Sequence, residues 1–165
     1  MLRYSNPTRP RVHGSDHVNA GEDPVPRALI FIDSKETDSA ELVSSTTETT
    51  IQSITLPANS YEKILIEFGF QSRFEASTNS KCDYTWRVKV GAVLVKTFYN
   101  RIIASSTSGI ASGGRISGQY SAIYSGGNTS DLTVTITGQM TVSNSACGML
   151  VHYLRIYGIN KILRP

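Results

Sequence analysis

The chain has 165 residues, of which 39% are hydrophobic and 18% charged, with a formal net charge of +3 at pH 7. This length suits one domain whose core needs no metal or disulfide, and the small charge permits contact with nucleic acid or anionic lipid without requiring either. No apolar run approaches the roughly 18 residues of a membrane span, and the polar N-terminus lacks the apolar segment of a signal peptide. We therefore expect a protein that is made in the cytoplasm and stays soluble until it assembles.

Residues 1–27 are predicted to form an extended N-terminal arm without a core of its own. Prolines interrupt this segment at four positions and glycines at two, which prevents any regular periodicity. Scattered positive charge comes from arginines that include Arg3, Arg9 and Arg11. The arm is either a disordered leader or a segment that lies over a neighbouring subunit or an internal surface.

Residues 28–159 are predicted to form a β-sandwich domain, and residues 160–165 a short basic tail. The domain opens on the apolar run Leu-Ile-Phe-Ile at 29–32, which predicts a first, well-buried strand. Residues 42–56 are predicted as an edge strand, or as a long loop followed by a strand. A turn cluster at 57–60 ends this part of the chain.

The second long strand is predicted at 61–75, where five apolar residues share one parity: Ile64, Ile66, Phe68, Phe70 and Phe74. Gly69 in its middle indicates a bulge or the close approach of another backbone. Alternating residues at 84–90 are followed by a turn at Gly91 and by a returning segment at 93–99, which predicts a hairpin.

Residues 101–106 predict another short strand, and residues 116–124 predict the next. The turn residues Gly126, Gly127 and Asn128 lead straight into 132–142, so we expect a second hairpin there. The last of these segments has the clearest strand pattern, because apolar residues alternate with Thr and Gln along its whole length. The apolar set is Leu132, Val134, Ile136, Met140 and Val142.

The final strand is predicted at 147–159, and it is apolar on both parities. Leu150, Leu154 and Ile156 occupy one parity, and Met149, Val151, Tyr153 and Tyr157 occupy the other. Because a sandwich with one solvated side cannot cover both faces of a strand, the excess needs a partner. We therefore predict an assembly interface at Val151, Tyr153 and Tyr157, together with the arm residues Arg3, Arg9 and Arg11.

Eight or nine strands at short intervals, with no convincing helix, predict an all-β fold. The architecture we expect is a two-sheet antiparallel sandwich, with a single jelly roll favoured over an immunoglobulin-like sandwich.

The sequence contains no recognisable catalytic or cofactor motif. A Gly-x-Ser-x-Gly elbow is absent, and the glycine-rich segment at 109–118 lacks the spacing of a phosphate-binding loop. His13 and His17 lie four residues apart, but Gly14 and the nearby prolines argue against the helix that would bring them to one metal. We predict a protein that is not an enzyme and that has no cofactor and no metal site.

Four other features leave alternatives open. Asn128-Thr129-Ser130 is an N-glycosylation acceptor sequence at a predicted turn. Cys82 and Cys147 form either a disulfide or a pair of free thiols, because the sequence does not give their distance. His152 is expected in an interface or in the core. The aromatic residues at strand positions belong either to the core or to a platform on which sugars stack: Tyr84, Trp86, Tyr120 and Tyr124.

An extended arm containing Pro and Arg, followed by a Ser/Thr-rich sandwich, resembles the small single jelly-roll capsid proteins of icosahedral viruses. Low Lys content and the Thr-rich strands are similar to virion proteins of prokaryotic viruses, archaeal ones included. The resemblance implies that sandwiches tile a shell and that arms interlock subunits or touch the interior. Asp16, Glu22 and Asp23 offset most of the arginines of this arm, which favours protein or membrane contact over genome binding.

We accordingly predict a structural virion protein that assembles with copies of itself and with other virion proteins, and whose arm contacts an internal membrane or the genome. The competing prediction is a ligand-binding sandwich, either lectin-like or a receptor-binding spike domain.

Overall fold

A computed structural model describes residues 29–58, 61–76, 80–104, 112–126, 129–142 and 146–160. These residues form nine strands and no helix. In chain order the strands are β1 (Leu29–Lys35), β2 (Leu42–Val43), β3 (Thr49–Leu56), β4 (Tyr61–Ala76), β5 (Ser80–Val90), β6 (Val93–Ala104), β7 (Ser112–Tyr124), β8 (Leu132–Met140) and β9 (Cys147–Asn160).

The strands make two antiparallel sheets that pack face to face. The first sheet has the order β1-β9-β4-β7, with the two-residue strand β2 also paired to β9, and the second has the order β3-β8-β5-β6. Apart from the β5–β6 hairpin and the link from β1 to β2, each connection passes from one sheet to the other. This division of eight long strands between two four-stranded layers is the arrangement of a jelly roll. The predicted all-β sandwich is therefore confirmed.

The alternation of apolar and polar residues in β4 and β8 determines which side chains face the core. All five apolar residues that share a parity in β4 are buried, and so are Val134, Ile136 and Met140 of β8. The predicted β5–β6 hairpin is also confirmed, since Val90 pairs with Val93 across a turn whose Gly91 has a positive φ of 55°. Residues 101–104 are not a separate strand, because they continue β6.

Two predictions about the strands are wrong. The segment after Tyr124 does not close a hairpin, since β7 pairs with β4 in the first sheet while β8 pairs with β3 and β5 in the second. The first strand is not well buried: β1 lies at the edge of its sheet, and Leu29 and Phe31 are more than half exposed. A short apolar run is compatible with a central strand and with an edge strand, so the sequence pattern does not distinguish the two positions.

Aromatic rings fill the space between the sheets. Trp86 of β5 is fully buried, and its ring centroid lies 5.9 Å from that of Phe68 and 5.4 Å from that of Phe70 on the opposite sheet. The Tyr120 ring is stacked between Phe70 and Phe98 at 4.2 Å from each. Tyr84 is also fully buried, whereas Tyr120 and Tyr124 are half-buried. These rings act as packing groups that join the two sheets.

We expect Trp86→Ala to lower the free energy of unfolding by about 3–5 kcal/mol, because it leaves a cavity beside Phe68 and Phe70. The matched control is Tyr99→Ala, an aromatic truncation at a site that is 74% exposed, for which we expect a change within about 0.5 kcal/mol. Urea denaturation followed by circular dichroism measures both. Equal losses in the two variants would contradict this description of the core.

Candidate interaction surface

The outer face of the first sheet carries an apolar row that crosses all four long strands. Phe31 of β1 pairs with Tyr157 of β9, Tyr157 pairs with Leu65 of β4, and Leu65 pairs with Ile123 of β7. Residues directly opposite each other in antiparallel strands lie on the same face. With roughly 4.8 Å between neighbouring strands, the row extends roughly 15 Å across the sheet. We call these four residues the apolar row.

The two ends of the apolar row are its most exposed parts. Phe31 and Ile123 are each 56% exposed, whereas Tyr157 and Leu65 are half-buried. The Phe31 and Tyr157 rings meet edge to face at 5.9 Å. Towards the start of β1, the row is widened by Leu29, which pairs with Ile159 of β9. The apolar surface is therefore broadest at the β1 edge of the sheet.

A polar border lies on the other side of the apolar row. The next register position places Arg155 of β9 beside Glu67 of β4, which in turn pairs with Ser121 of β7. Arg155 donates two hydrogen bonds to the carboxylate of Glu36, at 2.8 and 2.9 Å, and its guanidinium lies 4.5 Å from the centre of the Tyr153 ring. The hydrogen bond from Arg155 lowers the pKa of Glu36, so this pair stays ionised at neutral pH.

Tyr153 lies flat across β4 because residue 69 has no side chain. A Cβ on Gly69 would overlap the Tyr153 ring. The tyrosine therefore spans the strand, and its hydroxyl donates a hydrogen bond of 3.0 Å to the side-chain oxygen of Gln119 on β7. The close approach that the sequence indicated at Gly69 is thus made by a side chain of the neighbouring strand.

The predicted interface residues of β9 do not all lie on this surface. Tyr153 and Tyr157 face outward, but Val151 is fully buried, so its predicted place on the outer face is wrong. The physical reason is a β-bulge: Gly69 pairs with Tyr153 and Phe70 with Val151, which leaves His152 as an extra residue. One extra residue exchanges the two faces of a strand. Met149 and Val151 therefore share the core with Leu154 and Ile156.

His152, at the bulge, is half-exposed rather than buried. Its Nδ1 lies 2.9 Å from a carboxylate oxygen of Asp38. The remaining predicted site residues lie outside the described ranges: Arg3, Arg9, Arg11, His13, His17 and Asn128.

Cys82 and Cys147 are both buried. Of the two arrangements that the sequence allows, a disulfide or a pair of free thiols, the structure has the free thiols. They come from different sheets and lie close to each other and to the Tyr84 hydroxyl in the core. Burial raises the pKa of the Cys147 thiol to about 12. The thiol is therefore protonated and unreactive at neutral pH.

Sequence reasoning missed three members of the apolar row: Phe31, Leu65 and Ile123. A signal existed for Leu65, because it is the one large aliphatic residue on a parity that also carries Glu67, Gln71 and Arg73. No local signal identifies Phe31 or Ile123 as outward. Their positions depend on pairing with strands that are distant in sequence.

The outer face of the second sheet is polar through its middle. Thr55 of β3 and Thr133 of β8 pair and lie with their hydroxyl oxygens 3.2 Å apart. Glu48 forms an ion pair with Lys89 of β5 at 2.5 Å and accepts a 2.7 Å hydrogen bond from the Thr137 hydroxyl. The hydrogen bond from Lys89 lowers the pKa of Glu48. These polar groups are paired within the chain. The edge strand β6 of the same sheet carries exposed large apolar side chains, Tyr99 at 74% and Ile103 at 69%.

A cleft of about 460 Å³ lies on the β5–β6 hairpin and is lined by Asp83, Tyr84, Tyr99, Asn100 and Arg101. The Arg101 guanidinium donates a hydrogen bond to the Asp83 carboxylate, which lowers the pKa of Asp83. Tyr99 stands beside this ion pair and is 74% exposed. The cleft therefore combines an accessible ring with charged groups.

Among the described residues, no three His, Cys, Asp or Glu side chains come together in a way that would hold a metal ion. The same part of the chain contains no helix long and apolar enough to cross a bilayer.

No family model and no curated protein matches the chain. Among solved structures, it is similar to the EclA C-terminal domain, a sugar-binding protein, at 11% sequence identity and a TM-score of 0.47, with 91% of this chain and 99% of that chain covered. It is also similar to dimeric latent PorU from Porphyromonas gingivalis, at 11% identity and a TM-score of 0.37, over 87% of this chain and 14% of that chain. Likenesses this distant say nothing about function.

We expect Gly69→Ala to destabilise the protein by about 1–3 kcal/mol, because the added methyl group must push Tyr153 away from the sheet and break its bond to Gln119. Gly114→Ala is the control, since a Cβ there meets no atom within 4 Å. Denaturant titrations of both variants, repeated in a Tyr153→Ala background, measure the coupling. If Gly69→Ala costs the same in that background, Tyr153 does not lie across Gly69.

Proposed function

We propose that this chain is a structural, self-associating subunit of a virus particle, without catalytic activity of its own. The observation that carries the proposal is the apolar row on the outer face of the first sheet. Four large apolar side chains in register across four strands form a contiguous patch rather than scattered surface residues. Contiguous apolar surface bordered by polar groups is typical of protein contact sites.

The contrast between the two outer faces supports an oriented contact. The second sheet presents Thr hydroxyls and an ion pair between Glu48 and Lys89 that is satisfied within the chain. The first sheet presents Phe31 and Ile123 to solvent. Burial of apolar area favours association. The exposed apolar side chains of the first sheet belong to one row that crosses four strands, whereas those of the second sheet lie on its edge strand β6, at Tyr99 and Ile103.

Fold and composition support the viral part of the proposal. Jelly rolls are used by viral capsid proteins and by lectins, and many functions share such folds, so the fold is only a supporting analogy. Among these functions, the apolar row favours a subunit that packs against copies of itself. Other virion proteins, an internal membrane and the genome are further partners under this proposal, and the N-terminal arm is the segment we assign to them.

The direct test is the oligomeric state of the full-length chain, measured by size-exclusion chromatography with light scattering over a range of protein and salt concentrations. We expect oligomers for the native chain and a shift towards monomer for Ile123→Ser, because the substitution removes an exposed end of the apolar row. Ser121→Ala, two residues away on the same outer face of β7, should associate like the native chain.

A native chain that remains monomeric at the highest concentration in every salt condition would contradict self-association. If the native chain does associate, electron micrographs of the oligomers should show closed or sheet-like assemblies built from repeated contacts.

A second candidate function is glycan binding at the cleft beside Tyr99. An exposed tyrosine next to Asp83 and Arg101 offers a stacking face and charged hydrogen-bonding groups. On a glycan array, this function predicts binding by the native chain and its loss in Tyr99→Ala. Tyr61→Ala, an aromatic truncation on β4, controls for general loss of structure. Absence of any bound glycan would remove this candidate.

A further inference from the structure

The cleft on the β5–β6 hairpin has an exposed aromatic ring and an arginine on the same face of the second sheet. In the pairing of the two strands, Asp83 lies opposite Arg101 and Thr85 lies opposite Tyr99. Because residues two apart in a strand share a face, Tyr99 and Arg101 lie on the same outer side, roughly 7 Å apart along β6. The cleft volume of about 460 Å³ lies within the range of small-molecule sites, roughly 300–1,000 Å³.

Arg101 is held by Asp83 and still has donors for a second acceptor. Its Nε donates a hydrogen bond to the Asp83 carboxylate, and its side chain remains 54% exposed. The two Nη atoms carry four of the five N–H donors of a guanidinium. Parallel N–H donors of this kind bind an oxyanion in a bidentate way. The orientation fixed by Asp83 therefore leaves an anion-binding group at the surface of the cleft.

The charge around Asp83 favours a negatively charged ligand. The hydrogen bond from Arg101 is the main cause that lowers the pKa of Asp83, and the positive charge of Lys81 lowers it further, so Lys81 lies close enough to act on this carboxylate. Lys81 shares the outward parity of Asp83 in β5 and is exposed. Two cations beside one carboxylate leave a net positive charge, which attracts an anion and repels a cation.

We infer that this cleft binds a sugar that carries an acidic group, with the sugar ring stacked on Tyr99 and the acidic group bound by the Arg101 guanidinium. The inference rests on the second candidate function and deepens it, since it names the class of glycan. It does not depend on self-association, whose surface lies on the other sheet.

The exposed ring favours a sugar over an acidic peptide as the occupant. Tyr99 is 74% exposed, and the face of its ring is negative and attracts the C–H groups of a sugar ring. Thr85, opposite Tyr99 on β5, adds a hydroxyl that both donates and accepts hydrogen bonds. A sugar with an acidic substituent uses the ring, the hydroxyl and the guanidinium together, whereas an acidic peptide uses the charge alone.

The test is a glycan array with neutral glycans, glycans that contain uronic or sialic acid, and sulfated glycans, followed by calorimetric titration with the glycans that bind. We expect the native chain to prefer acidic glycans to their neutral counterparts, and the separate carboxylate and sulfate groups of the array to identify the anion. Arg101→Gln should weaken binding of acidic glycans by roughly 10–100-fold, because charge-assisted hydrogen bonds are lost. Tyr99→Ala should lose binding of every class.

Lys96→Gln is the matched control, because it removes the same unit charge from an exposed position on the same strand. It should bind acidic glycans like the native chain. Circular dichroism checks that each variant is folded. A loss in Lys96→Gln equal to that in Arg101→Gln, or binding of polyglutamate as tight as that of the acidic glycans, would overturn the inference, because binding would then depend on charge alone.

The remaining outcomes separate this inference from the functions on which it builds. Equal binding of acidic and neutral glycans would overturn the preference for an acidic sugar and leave glycan binding at Tyr99 standing. If no glycan binds, the inference and the second candidate function fail together. Self-association is judged independently by light scattering, in which Arg101→Gln should have the same oligomeric state as the native chain.

Discussion

The position of β9 between β4 and β1 determines what this molecule buries and what it presents. Hydrogen-bonded pairing on both sides fixes the register of β9, and the bulge at His152 exchanges its two faces part-way along. Before the bulge Val151 enters the core, and after it Leu154 and Ile156 do so. Tyr153 and Tyr157 are thereby turned to the outer face, where Tyr157 joins Phe31 to Leu65. Without this register the apolar row would not exist.

The two layers serve different purposes. Their inner faces share one aromatic core, in which Trp86 packs against Phe68 and Phe70 and Tyr120 stacks between Phe70 and Phe98. The second sheet has paired hydroxyls and an ion pair across the middle of its outer face, and its exposed apolar side chains lie on the edge strand β6. The first sheet leaves apolar side chains exposed from β1 to β7. This asymmetry supports the proposed structural role, because a subunit that tiles a surface needs one face that gains free energy from contact.

Much of the fold follows from the sequence alone, and the failures have physical causes. The strict alternation in β4 and β8 identifies buried residues correctly. When only one parity of a strand is apolar, that parity is the one that faces the core. In β9 both parities are apolar, so a one-residue bulge leaves no trace in the sequence, and the pattern predicts the wrong face for Val151. Gly126 and its neighbours are turn formers that suit a hairpin and a crossing between sheets equally well. The apolar row joins residues from four strands, and no local pattern could reveal it.

The central claim is that copies of this chain meet at the outer face of the first sheet. Amide hydrogen exchange at low and high protein concentration tests it most directly, because it reports backbone protection strand by strand. We predict that protection of β1, Leu29–Lys35, increases with concentration, while that of β3, Thr49–Leu56, the edge strand of the second sheet, does not change. Exchange in β1 that is independent of concentration, or protection that grows in β3 instead, would contradict the claim.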